Sequence, residues 1–192
     1  RRPGGLGWLA MLLFFPLASG LAYGLTTPMM VDAGWSMEGI GFIASVAGSL
    51  LSGASALAAG WAMQRWGRQQ ALLGAALFQT IGNGAMLLPV LGWRGDAVLA
   101  LAICLYFLCY APLGTVLGTL MMDWTGAVSA ATDYSLQYSL FMFVSMGSGA
   151  LGPALAEHFG YSPVLLAAAL AALLTALLAA RCQGRKPANG AV

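Results

Sequence analysis

Apolar runs long enough to cross a bilayer recur along this chain, and no other feature constrains it as tightly. A helix needs about 20 consecutive apolar residues to cross the hydrocarbon core. Six such stretches occur, at about 8–30, 38–63, 71–91, 97–122, 133–156 and 163–180, with short polar breaks between them. In lipid every backbone polar group must be satisfied internally, which leaves helices or closed barrels. The runs are rich in Ala and Leu and lack the alternation of barrel strands. The expected fold class is therefore all-α: one polytopic membrane bundle of six transmembrane helices over residues 1–192.

Composition agrees. Hydrophobic residues make up 60% of the chain and charged residues 7%, against about 25% charged in soluble domains. That excludes an ordinary soluble enzyme, a disordered tail and a nucleic-acid binder. A net charge of +2 is too small for the phosphate-binding face of a nucleic-acid binder. The partners expected are the lipid bilayer and a small molecule, not nucleic acid.

Catalytic and metal motifs are not apparent. Cys104 and Cys109 lie five apart in one apolar run and Cys182 lies in a basic tail, so free thiols are expected. No cluster has metal-ligand spacing, and no cofactor is implied. The single histidine, His158, falls in a turn. A serine protease of the membrane needs a serine–histidine pair, so the chain is not expected to be an enzyme. The run Gly147-Ser148-Gly149-Ala150-Leu151-Gly152 fits G-x-G-x-x-G. It sits inside an apolar span with no preceding strand, so close helix approach is expected there and not dinucleotide binding. The chain opens on Arg1-Arg2-Pro3-Gly4 without Met and reads as part of a longer one.

Placement of the polar residues gives an orientation. Trp8, Trp35, Trp61, Trp66, Trp93 and Trp124 all fall at or near span ends, where amphipathic indoles prefer the headgroup level. Six spans put Arg1, Arg2, Arg65, Arg68, Arg181, Arg185 and Lys186 on one side and only Arg94 on the other. The positive-inside rule then makes both termini cytoplasmic. All six carboxylates (Asp32, Glu38, Asp96, Asp123, Asp133 and Glu157) also lie near span ends. Asp133, at the start of the fifth span, is the best coupling site within the chain if transport is proton-driven.

The spans differ in polarity. The first carries Phe15, Ser19, Tyr23 and Thr26 on one helical face, and the fourth carries Tyr106 and Tyr110. The fifth carries Tyr134, Gln137, Tyr138, Phe141, Ser145 and Ser148 mostly on one face. Such groups usually face an interior or a water-filled cavity, so Tyr23, Tyr106, Tyr110, Tyr134, Gln137 and Tyr138 are the expected path-lining residues. Small residues four apart in the second span favour helix packing. Gln79 and Asn83 in the third are expected to bond a neighbouring helix. Thr175 is the only polar residue between Pro163 and Ala180, so the sixth span can face lipid all round. Pro16-Leu17-Ala18-Ser19 in the first span echoes Pro112-Leu113-Gly114-Thr115 in the fourth. Two three-helix units whose first members are broken by proline would suit an inverted-repeat transporter.

The second polar break carries a recognisable pattern. Gly60-Trp61-Ala62-Met63-Gln64-Arg65-Trp66-Gly67-Arg68 resembles the loop signature G-x-x-x-D-R-x-G-R of the major facilitator superfamily. Gly60, Arg65, Gly67 and Arg68 keep the spacing, while Gln64 replaces the acid. The chain as a whole resembles the C-terminal six-helix half of such a transporter, a 3+3 inverted repeat. Ala131-Thr132-Asp133-Tyr134-Ser135-Leu136-Gln137-Tyr138-Ser139 resembles a helix opening in bacterial siderophore importers of the rhizobactin and pyochelin type and in muropeptide permeases. The resemblance implies a multi-pass secondary transporter of the bacterial inner membrane, importing a siderophore or similar amphipathic solute by alternating access. A muropeptide or acylated-solute permease and a non-transporting scaffold half are the alternatives. The implied partner is an N-terminal six-helix half, in the same longer chain or as a separate subunit. In that family the third and sixth helices of each half lie outside the path.

Overall fold

The computed structural model describes residues 5–93, 95–126 and 129–182. Arg1, Arg2, Arg94, Arg185 and Lys186, used in the charge count above, lie outside these. Six helices account for the described chain: α1 (Gly5–Asp32), α2 (Met37–Trp66), α3 (Arg68–Ala85), α4 (Asp96–Asp123), α5 (Ala130–Phe159) and α6 (Tyr161–Cys182). No strand occurs among the described residues. All but α3 are long and apolar enough to span a membrane. The protein is an all-α polytopic membrane protein.

Helix α3 has 18 residues, about 27 Å at 1.5 Å per residue. Its polarity is turned inward: Gln79 and Asn83 are fully buried, whereas Leu77 and Ile81 are exposed. That is the reverse of a helix folded in water, and it suits a lipid surround.

Local sequence explains the breaks. The Ser36 hydroxyl accepts the Gly39 N–H at 3.2 Å and caps α2, as its position before Glu38 predicts. Gly67 and Gly160, with φ of 85° and 83°, are the single residues linking α2 to α3 and α5 to α6, in a backbone region that favours glycine. The third span was expected to reach residue 91, but α3 ends at Ala85 and turns follow. Pro89 lacks the N–H of a continuing helix and disfavours a helical Leu88.

Two further expectations are corrected. Helices α1 and α4 run unbroken through Pro16 and Pro112, so these prolines do not interrupt their spans. Helix α6 does not face lipid all round. It buries Val164, Leu165, Ala168, Ala172, Ala176 and Ala179, while Leu166, Leu170, Leu173 and Leu177 point outward. Alanine on the inner stripe lets the neighbouring backbone come close.

The packing order has a simple rule. Helix α1 packs mainly on α5 and α6, α4 packs mainly on α2 and α3, and α3 packs on α6. Exchanging α1 with α4, α2 with α5 and α3 with α6 returns the same set of main neighbours. Helices α1 and α4 are thus the inner members, and α2 and α5 are the least buried spans.

Glycines set the closest crossings. A methyl group on Gly20 would stand 2.6 Å from the Ser145 carbonyl oxygen, and one on Gly152 would stand 2.9 Å from that of Leu21. On α2, Gly48 lies flat against the Phe107 ring of α4. Just before that contact, residues Phe42–Ala47 form a π-helical segment, a widening often found at functional places in helices.

The bundle ends are tied differently. At one end Arg68 pairs with Asp123, and Trp8 stacks on Trp124 with ring centroids 5.3 Å apart. At the other, the Trp35 indole donates to Asp96 at 3.2 Å and the Tyr161 hydroxyl donates to Asp32. Among the described residues, the first end carries Arg65, Arg68 and Arg181 against Asp123 and Asp133. The second carries Asp32, Glu38, Asp96 and Glu157 with no described Lys or Arg.

Candidate functional site

The six lining residues expected from sequence separate into two groups. Tyr23 from α1 and Tyr106 and Tyr110 from α4 come together at a cleft of about 210 Å³, completed by Ser19, Gly20 and Ser145. Tyr134, Gln137 and Tyr138 stand instead toward the Arg68–Asp123 end.

The cleft is built from aromatic contacts. Tyr106 and Tyr110 occupy successive turns of α4 and stack with centroids 5.4 Å apart and planes 6° apart. Tyr23 meets Phe107 edge-on at 6.2 Å. The Tyr106 hydroxyl donates to the Ser19 carbonyl oxygen at 2.7 Å, which fixes α4 against α1. The Ser52 hydroxyl donates to the Phe107 carbonyl oxygen at 3.1 Å and fixes α2 on the other side. Tyr106 is 1% exposed, but Tyr23 is 55% exposed, so one wall is rigid and the other open. No charged side chain lines the cleft. It can offer ring faces and hydroxyls but no counter-charge.

Tyr106→Phe tests the rigid wall. It keeps the ring and removes the hydroxyl that crosses from α4 to that carbonyl. A loss of about 1 kcal/mol is expected, read as a lower midpoint in a thermal unfolding scan of the purified protein.

The second group is a strut. The Trp8 indole N–H donates to Gln137 Oε1 at 2.7 Å. Gln137 Nε2 donates to the carbonyl oxygens of Met121, at 3.4 Å, and Asp133, at 3.1 Å. One amide therefore joins α1, α4 and α5. Tyr134, Tyr138 and Phe141 form a stacked row along α5, with centroids 6.0 and 6.2 Å apart. Phe141 meets Phe15 of α1 at 5.6 Å. Asp133 Oδ2 accepts the Gly126 N–H at 2.8 Å and ties Gly126 to the first turn of α5.

The loop pattern also resolves into parts. Gly67 makes the corner, Arg68 reaches Asp123, and Arg65 lies 6.0 Å from the centroid of the Trp61 ring. The Asp123 contact favours the charged guanidinium of Arg68 and raises its pKa. Gly60 lies inside α2 with open space where a side chain would be.

Sequence reading passed over Gly20 and Phe107. The Gly20-x-x-x-Gly24 spacing was the available signal for the first. Phe107 carries no polar mark and is placed only by its contact with Gly48. No family model matches the chain.

Proposed function

We propose that the chain is one six-helix half of a major-facilitator-type secondary transporter in the bacterial inner membrane. Both termini are cytoplasmic in this reading, and it imports a siderophore or similar amphipathic solute by alternating access. The observation that carries the reading is the neighbour pattern, which survives the exchange of the first three helices with the last three. A 3+3 repeat would give such a pattern, with a site expected between the inner members of the two units. The tyrosine cleft between α1 and α4, open on one side, supports that reading. Outward-facing α5, the least buried span, leaves a face for an N-terminal half to cover. In this reading the Gln137 strut closes one end of the path, and rocking against the partner half opens it.

The test is uptake of radiolabelled ferric siderophore by cells carrying the full-length gene or a deletion. Uptake should fall to background in the deletion strain and recover with the wild-type gene. Recovery should be reduced by an order of magnitude or more, roughly, with Tyr106→Ala, which removes a stacked ring and its hydroxyl. Unchanged uptake in the deletion strain would remove the siderophore reading.

A further inference from the structure

We propose that the α2–α3 corner, through Trp61, Arg65 and Trp66, binds the anionic headgroup of a phospholipid in the leaflet at that end. The proposal stands apart from the transport reading.

Arg65 is the available cation. All six carboxylates lie among the described residues, and the ion pair found there joins Asp123 to Arg68. Arg65 is exposed and has no carboxylate partner among the described residues. Its guanidinium is nonetheless held, 6.0 Å from the centroid of the Trp61 ring, at cation–π range. A fork positioned in this way loses less freedom on meeting a phosphate than a mobile lysine would.

The two indoles supply the rest. Trp61 and Trp66 meet edge-to-face, with centroids 5.8 Å apart and planes at 71°, and each is more than half exposed. They stand at the end of a spanning helix, where indole rings sit among glycerol and headgroup atoms. A basic residue at the C-terminus of α2 does complement the helix dipole. A dipole asks only for charge, however, and does not account for two large rings left uncovered beside it. Charge complementarity favours an anionic lipid over a zwitterionic one. The described residues at this end carry three arginines against two carboxylates, and the opposite end carries four carboxylates.

Brominated lipids test the site, because bromine quenches tryptophan only at short range. The full chain is placed in phosphatidylcholine nanodiscs containing a minor fraction of brominated phosphatidylglycerol or, in the second arm, brominated phosphatidylcholine. Subtracting the signal of a Trp61→Phe/Trp66→Phe variant isolates the two rings. One basic residue at the surface gives about 1 kcal/mol of attraction, or about fivefold local enrichment. Quenching of these rings should therefore be several-fold greater in the phosphatidylglycerol arm. Arg65→Gln should bring the arms level, and Arg65→Lys should keep most of the excess. Equal quenching in both arms for the unmodified chain would overturn the proposal, as would an excess that survives Arg65→Gln. Loss of the excess on adding millimolar inorganic phosphate would reassign the corner to a free anion and also overturn it.

Discussion

Gly20→Leu should prevent the bundle from assembling. The α1–α5 crossing has almost no side-chain atoms between the two backbones. A Cβ alone on Gly20 would overlap Ser148 Oγ and crowd the Ser145 carbonyl oxygen, and one on Gly24 would overlap the Gly149 carbonyl oxygen. Overpacking a closed contact costs about 1–3 kcal/mol where neighbours can move aside. Here the obstacle is backbone, so the helices must separate. Separation also breaks the bond from the Ser148 hydroxyl to the Pro16 carbonyl oxygen, 3.1 Å. The measurement is the yield of monodisperse protein on size exclusion in detergent, with circular dichroism to follow unfolding. Gly53→Leu is the control, since nothing lies within 4 Å of its missing Cβ; it should leave yield and helicity unchanged. A well-folded Gly20→Leu protein would show that the crossing is looser than described.

The double variant Gln79→Met/Asn83→Leu should be more stable than the natural sequence. Both residues are fully buried, and both amide atoms of each have no hydrogen-bond partner. Unpaired buried polar atoms cost about 1–3 kcal/mol each, and apolar groups of similar shape remove that cost. A gain of several kcal/mol is expected, roughly, after allowing for imperfect fit, read as a raised unfolding midpoint. An equal or lower midpoint would mean that these amides are satisfied inside the bundle. The sequence reading had them bonded to a neighbouring helix, and the structure records no such bond.

Helix number and order were legible because lipid imposes them: backbone satisfaction demands helices, and span length follows from bilayer thickness. The tyrosines of α1 and α4 drew notice because bulky polar groups on one face of an apolar helix stand out, and the structure gathers them at one cleft. Tyr134 and Tyr138 share a helical face, but face periodicity gives direction around a helix and not depth along its neighbour, so their stacked row apart from the cleft was not legible. Gln137 shows the limit well: its reach to Trp8 and Met121 depends on where three helices meet. The outward reading of α6 failed for another reason. Alanine and leucine are equally apolar, and only packing reveals that the small ones face in. The early end of α3 was marked by Pro89, but the apolar run carries on through it to residue 91.

The bare α1–α5 crossing also limits how the molecule can deform. With backbone seated on backbone, these two helices cannot slide or roll past one another without first parting. They behave mechanically as one rod. The Tyr23 wall, carried on α1, therefore cannot move independently of Ser145, carried on α5. Any widening of the cleft must open along the seam with α4, where the Tyr106 hydroxyl bond to Ser19 is the hinge-side restraint.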